Sequence, residues 1–330
     1  MKPKVFVSGA SGFIGRQLCL RLVQQGYYVH ALCRNENHPY LIKNENIALF
    51  KGDILDELSL LKAMKGCEEV YHTAALAKMW SKNSEDFYQI NVVGTRNVLN
   101  TALKLGVKKM VYTSTCGVWG PTIKHPMTET DPRVFGFTIA YERTKYLAEL
   151  EVFSFIKKGL DVVIVNPSRV FGEGPTTDSN TVSKMITGYL NGTWRIIPSD
   201  GKNIANYAFL DDVVNGHLAA MTYGQTGNRY ILGGEDISFN QFFETLHQLS
   251  GKPKRMFNVN QKLIKFYSQI EWLKTKITGL APVFLPEFAD RLKYDQKYSS
   301  DKAISQLNYQ ITPFAEGLER TMHYIQKQHL

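Results

Sequence analysis

Short apolar runs alternate with segments of helical period through the first half of the chain. Residues 4–8 (KVFVS), 28–33 and 47–50 read as buried strands, and the stretches 14–25 and 55–64 between and after them repeat apolar positions every three to four residues. Two more strand-like runs, 69–73 and 109–114 (KMVYTS), flank a long helical segment at 85–105. A helix at 141–155 and a strand at 161–166 (DVVIVN) complete the alternation. Strand and helix in strict alternation predict an α/β fold, a doubly wound parallel sheet with helices on both faces. Such sheets bind ligands at the carboxyl ends of their strands, where strand order reverses. From about residue 167 the pattern loosens into helices near 179–190 and 211–222, a strand at 229–232 and several later helices. The expected division is a sheet domain over 1–166 and, over 167–330, mostly a smaller helical cap with some segments returning to the sheet.

Composition narrows the class. With 44% hydrophobic residues and 12% aromatics among 330, the chain can bury a substantial core. No apolar run approaches the roughly 18 residues that span a bilayer, and Met1-Lys2-Pro3 runs straight into a strand, so no secretory leader is expected. Cys19, Cys33, Cys67 and Cys116 are scattered without metal-ligand spacing, which predicts reduced thiols, no metal site and a cytoplasmic location. The net charge of +9 is dispersed, its densest patch being Lys252-Pro-Lys-Arg255. No nucleic-acid reader motif accompanies it, and anionic cofactors or a membrane surface suit it better.

Chemistry begins at the first strand. Gly9, Gly12 and Gly15 form G-x-x-G-x-x-G, opening directly into a helix. That placement meets the demands of a pyrophosphate: a tight turn, close backbone approach and the positive end of a helix dipole. Further on, Tyr141 and Lys145 stand four apart on a helix and share a face. A phenol titrates near ~10, too high for proton exchange at neutral pH, and a neighbouring ammonium lowers that value.

The glycine spacing together with Tyr-x-x-x-Lys resembles the extended short-chain dehydrogenase/reductase family, and other stretches match it in order. They are Gly52-Asp53-Ile54, His72-Thr73-Ala74-Ala75, Asn91-Val-Val-Gly-Thr95, Tyr112-Thr-Ser-Thr-Cys-Gly-Val-Trp-Gly120 and Asn166-Pro-Ser-Arg-Val-Phe-Gly-Glu-Gly174. The matches run from Val5 to about Asp212. The resemblance implies that Thr115, Tyr141 and Lys145 are catalytic: Thr115 holds the substrate carbonyl, Tyr141 exchanges the proton, and Lys145 tunes Tyr141 and holds the cofactor ribose. It implies cofactor contacts from Gly9, Ser11, Gly12, Phe13, Ile14, Gly15, Asp53, Ile54, Thr73, Ala74, Ala75, Tyr141, Lys145, Pro167, Ser168 and Val170. Ser114 is the competing hydroxyl. Asn91 is expected either to position Lys145 or a water or to pack its helix, His72 to be a satisfied core residue, and Glu142 and Arg143 to face solvent or pack the helix.

NAD-preferring relatives carry an acid at the end of the second strand, where this chain has Cys33 and then Arg34. A guanidinium suits a 2′-phosphate, so NADP(H) is the expected cofactor, with NAD(H) as the alternative. Nucleotide-sugar members hold the substrate diphosphate with an arginine whose place here falls on Ala205. Their later R-P-G-D stretch has no clear counterpart at Arg291-Leu-Lys-Tyr, and their acid after the catalytic threonine is replaced by Cys116-Gly117. The segment 298–309, with Lys302-Ala303 and Leu307-Asn-Tyr309, is instead similar to the 3β-hydroxysteroid dehydrogenase and dihydroflavonol reductase branch.

The expected activity is therefore reversible reduction of a ketone or aldehyde on an apolar or amphipathic molecule of steroid, flavonoid or β-keto type. The alternatives are a nucleotide-sugar epimerase, dehydratase or reductase and, third, a non-catalytic dinucleotide sensor. Met79, Trp80, Phe135 and Phe137 are expected near the substrate. Residues 263–286 interleave apolar residues at helical spacing with lysines, which suits a helix packed on the core as apolar wall or one lying on a membrane surface. The resemblance also implies a homodimer formed through helices 85–105 and 141–155.

Overall fold

A computed structural model describes residues 2–175, 180–251, 254–282 and 285–328, except the side chain of Phe288. The first six strands are β1 (Lys4–Ser8), β2 (Tyr28–Cys33), β3 (Ile47–Lys51), β4 (Glu69–His72), β5 (Lys109–Thr113) and β6 (Val162–Pro167). Between them run α1 (Phe13–Gln24), α2 (Glu57–Met64), α3 (Glu85–Tyr88), α4 (Gly94–Lys104) and α5 (Ala140–Ile156). The later elements are β7 (Arg169–Phe171), α6 (Thr181–Asn191), β8 (Ile196–Pro198), β9 (Ile204–Phe209), α7 (Leu210–Tyr223), β10 (Arg229–Leu232), β11 (Glu235–Ser238), α8 (Phe239–Ser250) and β12 (Phe257–Val259). The chain then forms α9 (Gln261–Thr278), α10 (Pro286–Arg291), α11 (Asp301–Leu307) and α12 (Phe314–Gln328).

Seven strands pair in parallel in the order β10-β6-β5-β4-β1-β2-β3. The strand residues alternate between two cores. Val5, Val7, Val111, Val163 and Val165 pack with α1, α7 and α11, while Phe6, Met110, Tyr112, Val162 and Ile164 face α2, α4 and α5. Burial on both faces is why these strands read as unbroken apolar runs rather than alternating ones. Strand order reverses between β1 and β4, so the crevice expected of such sheets opens at the ends of those two strands.

The return to the sheet expected after residue 167 is made by α7, β10 and α11. The remaining C-terminal segments form a cap around a third core rich in aromatics, including Phe171, Tyr207, Phe209, Phe242 and Phe314. It also carries small sheets that periodicity did not predict: β11-β9-β7, with β7 parallel and β11 antiparallel to β9, and the parallel pair β12-β8. These strands of three to six residues are too short to set a visible period. Among the described residues no helix is long and apolar enough to cross a membrane.

One helix departs from expectation. On α9 the buried positions are Ile264, Ser268, Glu271 and Thr275, while Leu263, Phe266, Tyr267, Ile270, Leu273 and Ile277 are exposed. The apolar stripe faces outward, so the reading of these residues as core-packing or as substrate walls is overturned. Val283 and Phe284 of the same expected segment, like Ser179, Lys252 and Pro253 in others, lie outside the described residues.

Candidate functional site

The crevice at the ends of β1 and β4 is shaped by backbone. Gly9 turns with φ +75°, and a Cβ there would lie 2.8 Å from the Ala74 nitrogen and from Thr73 Oγ1. A Cβ on Gly15 would collide with the Gly9 carbonyl, 2.2 Å away. Only glycine lets β1, the turn and α1 close this tightly against the end of β4. Thr73 Oγ1 fastens that junction by donating to the Ser8 carbonyl (2.7 Å). The α1 N-cap, Gly12, offers no side-chain cap and the first turn no acid, leaving helix N–H donors for an anion. Ser168 Oγ, past the end of β6, is buried without a partner among the described residues. Arg34, past the end of β2, is exposed and has no partner among the described residues. Asp53 shapes its own turn by accepting from the Leu55 N–H (2.9 Å), and Ile54 is buried beside it. A glycine cradle, orphaned donors and a free guanidinium are the features a phosphate-bearing dinucleotide requires, so the residues present fit that cofactor.

β5 delivers the next group. Past its end, Thr115 Oγ1 caps a 3-10 turn (Cys116–Val118) by accepting from the Gly117 N–H (3.1 Å), and its hydroxyl lies near enough to Tyr141 to act on the phenol. Ser114, the competing hydroxyl, is buried on the Glu149 side, its Oγ without a hydrogen-bond partner among the described residues. Tyr141 is half-buried at the start of α5, and Lys145 one turn on is 1% exposed. Lys145 Nζ donates to the Thr113 carbonyl (2.6 Å) and lies 4.3 Å from the centre of the Tyr112 ring. The tuning expected of this pair is not what the geometry gives. Burial pushes the Tyr141 phenol up to about 12, although the Thr115 hydrogen bond opposes the rise. Lys145 is itself pushed down to about 7 by burial, against the pull of Glu149. Desolvation dominates the phenol, and the ammonium is turned toward the β5 carbonyl.

Of three surrounding groups, His72 is as expected, Asn91 follows its packing alternative, and Glu149 was missed. His72 is a satisfied core residue: Nδ1 pairs with Ser8 Oγ (2.7 Å), Nε2 with Thr95 Oγ1 (3.0 Å), and burial drives it down to about 3. Asn91 sits in a π-helical turn, Gln89–Val93, as do many site residues. It accepts from the Leu76 N–H (2.7 Å) and donates to Thr144 Oγ1 (3.0 Å), tying the loop after β4 to α5 rather than touching Lys145. Glu149, four residues beyond Lys145 on the same face, is 1% exposed and accepts from Asn166 Nδ2 (2.8 Å), with Arg229 3.7 Å away. The spacing 141–145–149 was the signal that could have found it.

Glu142 corrects another expectation. It neither faces solvent nor merely packs its helix: it is 2% exposed and pairs with two arginines, Arg133 (3.0 Å) and Arg291 (2.7 Å). Arg143 beside it is exposed. Arg133 also donates to the carbonyls of Phe135 and Gly136 (both 2.8 Å) and stacks 4.1 Å from the Phe137 ring centre. It thus fastens the loop bearing two aromatics expected near substrate, both of them half-buried, as are Met79 and Trp80.

Arg291 from α10 acts electrostatically on both Tyr141 and Arg169, so the cap presents positive charge to the phenol. Arg169, on β7, donates to Gln296 Oε1 (3.0 Å) and has no carboxylate partner among the described residues; burial lowers its pKa. Ala205, where a diphosphate-binding arginine had been sought, is buried in β9. Arginines enter the cleft instead from β7 and α10. Cys116 occupies the place of the dehydratase acid, its thiol donating to the Asn166 carbonyl (3.1 Å).

Comparison with known proteins is consistent with this layout. Residues 5–233 match the model of the NAD dependent epimerase/dehydratase family. A putative dihydroflavonol 4-reductase of Synechocystis sp. is 32% identical over 330 residues, covering 97% of this chain and 94% of the relative. Sterol demethylase protein B of Methylococcus capsulatus is 30% identical over 263 residues, 78% of each chain. Among solved structures, the crystal structure of gox2253 superposes with a TM-score of 0.84 at 29% identity, covering 99% of both chains.

Proposed function

Because the chain belongs to the NAD-dependent epimerase/dehydratase family, we propose that this NAD(P)-dependent oxidoreductase of the extended short-chain type interconverts a ketone or aldehyde and an alcohol on an apolar or amphipathic small molecule, with NADP(H) as its preferred cofactor. The carrying observation is the meeting of Thr115, past the end of β5, with Tyr141 at the start of α5, and Lys145 one turn on. Bound NADPH supplies hydride to the carbonyl carbon, and NADP+ accepts it in reverse.

The chain's own groups handle the oxygen. The Gly117 N–H occupies Thr115 Oγ1 as an acceptor, so the Thr115 hydroxyl acts as a donor, toward the Tyr141 oxygen in this structure and toward a substrate oxygen once one is bound between them. A phenol held at about 12 is neutral at pH 7 and poised to donate its proton in the reductive direction. In the oxidative direction it must first lose that proton. The buried Lys145 is placed to hold the ribose hydroxyls once the cofactor is present. The apolar character of the substrate is supported by the relatives' ring-system names and by Phe135 and Phe137, which Arg133 fixes beside the site.

A second reading, a nucleotide-sugar substrate, shares one observation with the first: Arg169 and Arg291 carry more positive charge beside Tyr141 than Glu142 offsets. Such an excess suits an anionic substrate group, a carboxylate under the first reading or a diphosphate under the second. The discriminating experiment is a cofactor-oxidation screen of purified protein with NADPH and NADH against hydroxysteroid-type ketones, β-keto acids and esters, aryl aldehydes and sugar nucleotides, with calorimetry for the last. NADPH-dependent turnover of a ketone or aldehyde, without sugar-nucleotide binding, is the expected result. A micromolar dissociation constant for a UDP- or dTDP-sugar would promote the second reading.

A further inference from the structure

The outward stripe on α9 is an unusual use of an amphipathic helix. Leu263, Phe266, Tyr267, Ile270, Leu273 and Ile277 recur at three- and four-residue spacing and are 46–78% exposed. The face turned to the protein carries Ser268, Glu271 and Thr275 beside Ile264. A globular helix ordinarily buries its apolar stripe, and a continuous exposed one marks an interaction surface.

The charges around the stripe select its partner. Four lysines (Lys262, Lys265, Lys274 and Lys276) stand against one acid, Glu271, giving the helix a net +3 by that count. Of the four, Lys265 pairs with Asp290 (3.1 Å) and Lys274 with Glu271 (3.6 Å), while Lys276 lies 5.7 Å from the Trp272 ring centre. An apolar stripe flanked by lysines whose stems can lie along it and whose heads stay in water suits the boundary of an anionic bilayer. Pairing the stripe with that of a second copy would bring the lysine flanks of two chains, each of net charge +9, against one another. The dimer expected from the family resemblance uses other elements, α4 and α5, where Leu103 and Leu150 are exposed.

We propose that α9 docks the protein on anionic lipid surfaces, with its apolar stripe in the headgroup region. The placement has a consequence for the cleft. α9 packs against α10, and Arg291 of α10 holds Glu142, the neighbour of Tyr141. Docking therefore sets the substrate side of the cleft one helix away from lipid, which suits an amphipathic substrate drawn from the bilayer. The docking itself is independent of the catalytic reading.

The test is co-sedimentation of the full chain with phosphatidylcholine vesicles, with and without phosphatidylglycerol, for wild type and for Leu273→Glu/Ile277→Glu. The wild type should bind the mixed vesicles, and added salt or omission of phosphatidylglycerol should weaken it several-fold. The double variant should bind about thirty-fold less, since it places two charges in the apolar stripe. Its melting temperature should not fall, because both side chains face solvent, which separates lost docking from lost folding. Equal sedimentation of wild type and variant, or no binding of the wild type to mixed vesicles, would overturn the proposal. A wild-type dimer abolished by the same substitutions, without vesicle binding, would assign the stripe to a second copy instead and overturn it equally.

Discussion

The two halves of the cleft are built by different means. The cofactor half uses backbone and small side chains at the ends of adjacent strands: the Gly9–Gly15 turn, Thr73 at the end of β4, and the uncapped start of α1. The substrate half uses long charged side chains converging from remote segments: Arg133 from a loop, Glu142 from α5, Arg169 from β7 and Arg291 from α10. A dinucleotide needs close backbone approach, which glycine spacing alone can supply. Substrate recognition needs side chains whose meeting depends on how the cap folds over the sheet.

The first way to break this contrast is to remove the one carboxylate shared in the substrate half. Glu142→Leu leaves Arg133 and Arg291 largely buried without the carboxylate they share, and it should cost about 3–5 kcal/mol of folding stability. Denaturant unfolding measures it, and a loss below about 1 kcal/mol, the range of exposed ion pairs, would mean that solvent screens the pairs and that the cap is not anchored there.

On the cofactor half, Arg34→Ala should weaken NADPH by roughly 1.5–3 kcal/mol and leave NADH nearly unchanged, because only NADPH carries the 2′-phosphate. Parallel titrations decide the matter. Equal losses for both cofactors, or a wild-type preference for NADH, would show that Arg34 does not read the phosphate.

Lys145 lies where the halves meet and gives a smaller, pH-dependent effect. Its folded pKa of about 7 lies below the ordinary lysine value, so between pH 7 and 9 the unfolded chain keeps a proton that the folded one loses. That contribution to stability is fully present above the unfolded value and is lost as pH falls toward 7. Wild type should therefore gain about 2 kcal/mol more than Lys145→Met on going from pH 7 to pH 9. Identical pH slopes for the two proteins in chemical denaturation would contradict the burial argument.

The same contrast explains what could be read from the sequence. Both the parallel sheet and the glycine turn announce themselves through contiguous patterns, and Tyr141 and Lys145 through a single helical spacing. The Glu142 ion pairs join residues separated by 9 and by 149 positions, 142 minus 133 and 291 minus 142, and no local pattern links them. Ala205 was a sound place to look for a cleft arginine, yet Arg169 arrives on the neighbouring strand, with its own register to Tyr207. Periodicity located α9 but could not orient it, because a helical stripe reads the same whether it faces a core or a lipid. The setting of Tyr141 was hidden for a related reason: a charge four residues away is visible in sequence, whereas the burial that raises its pKa is a property of the whole fold.

The central claim is that Tyr141 exchanges the proton in a carbonyl–alcohol interconversion, and Tyr141→Phe tests it most directly. The ring stays packed while the hydroxyl beside Thr115 is lost. Turnover of the best ketone or aldehyde with NADPH should fall by ~10²–10⁴, the range for removing a general acid, with NADPH affinity essentially unchanged. Turnover near the wild-type rate in that variant would remove Tyr141 from the chemistry and contradict the account.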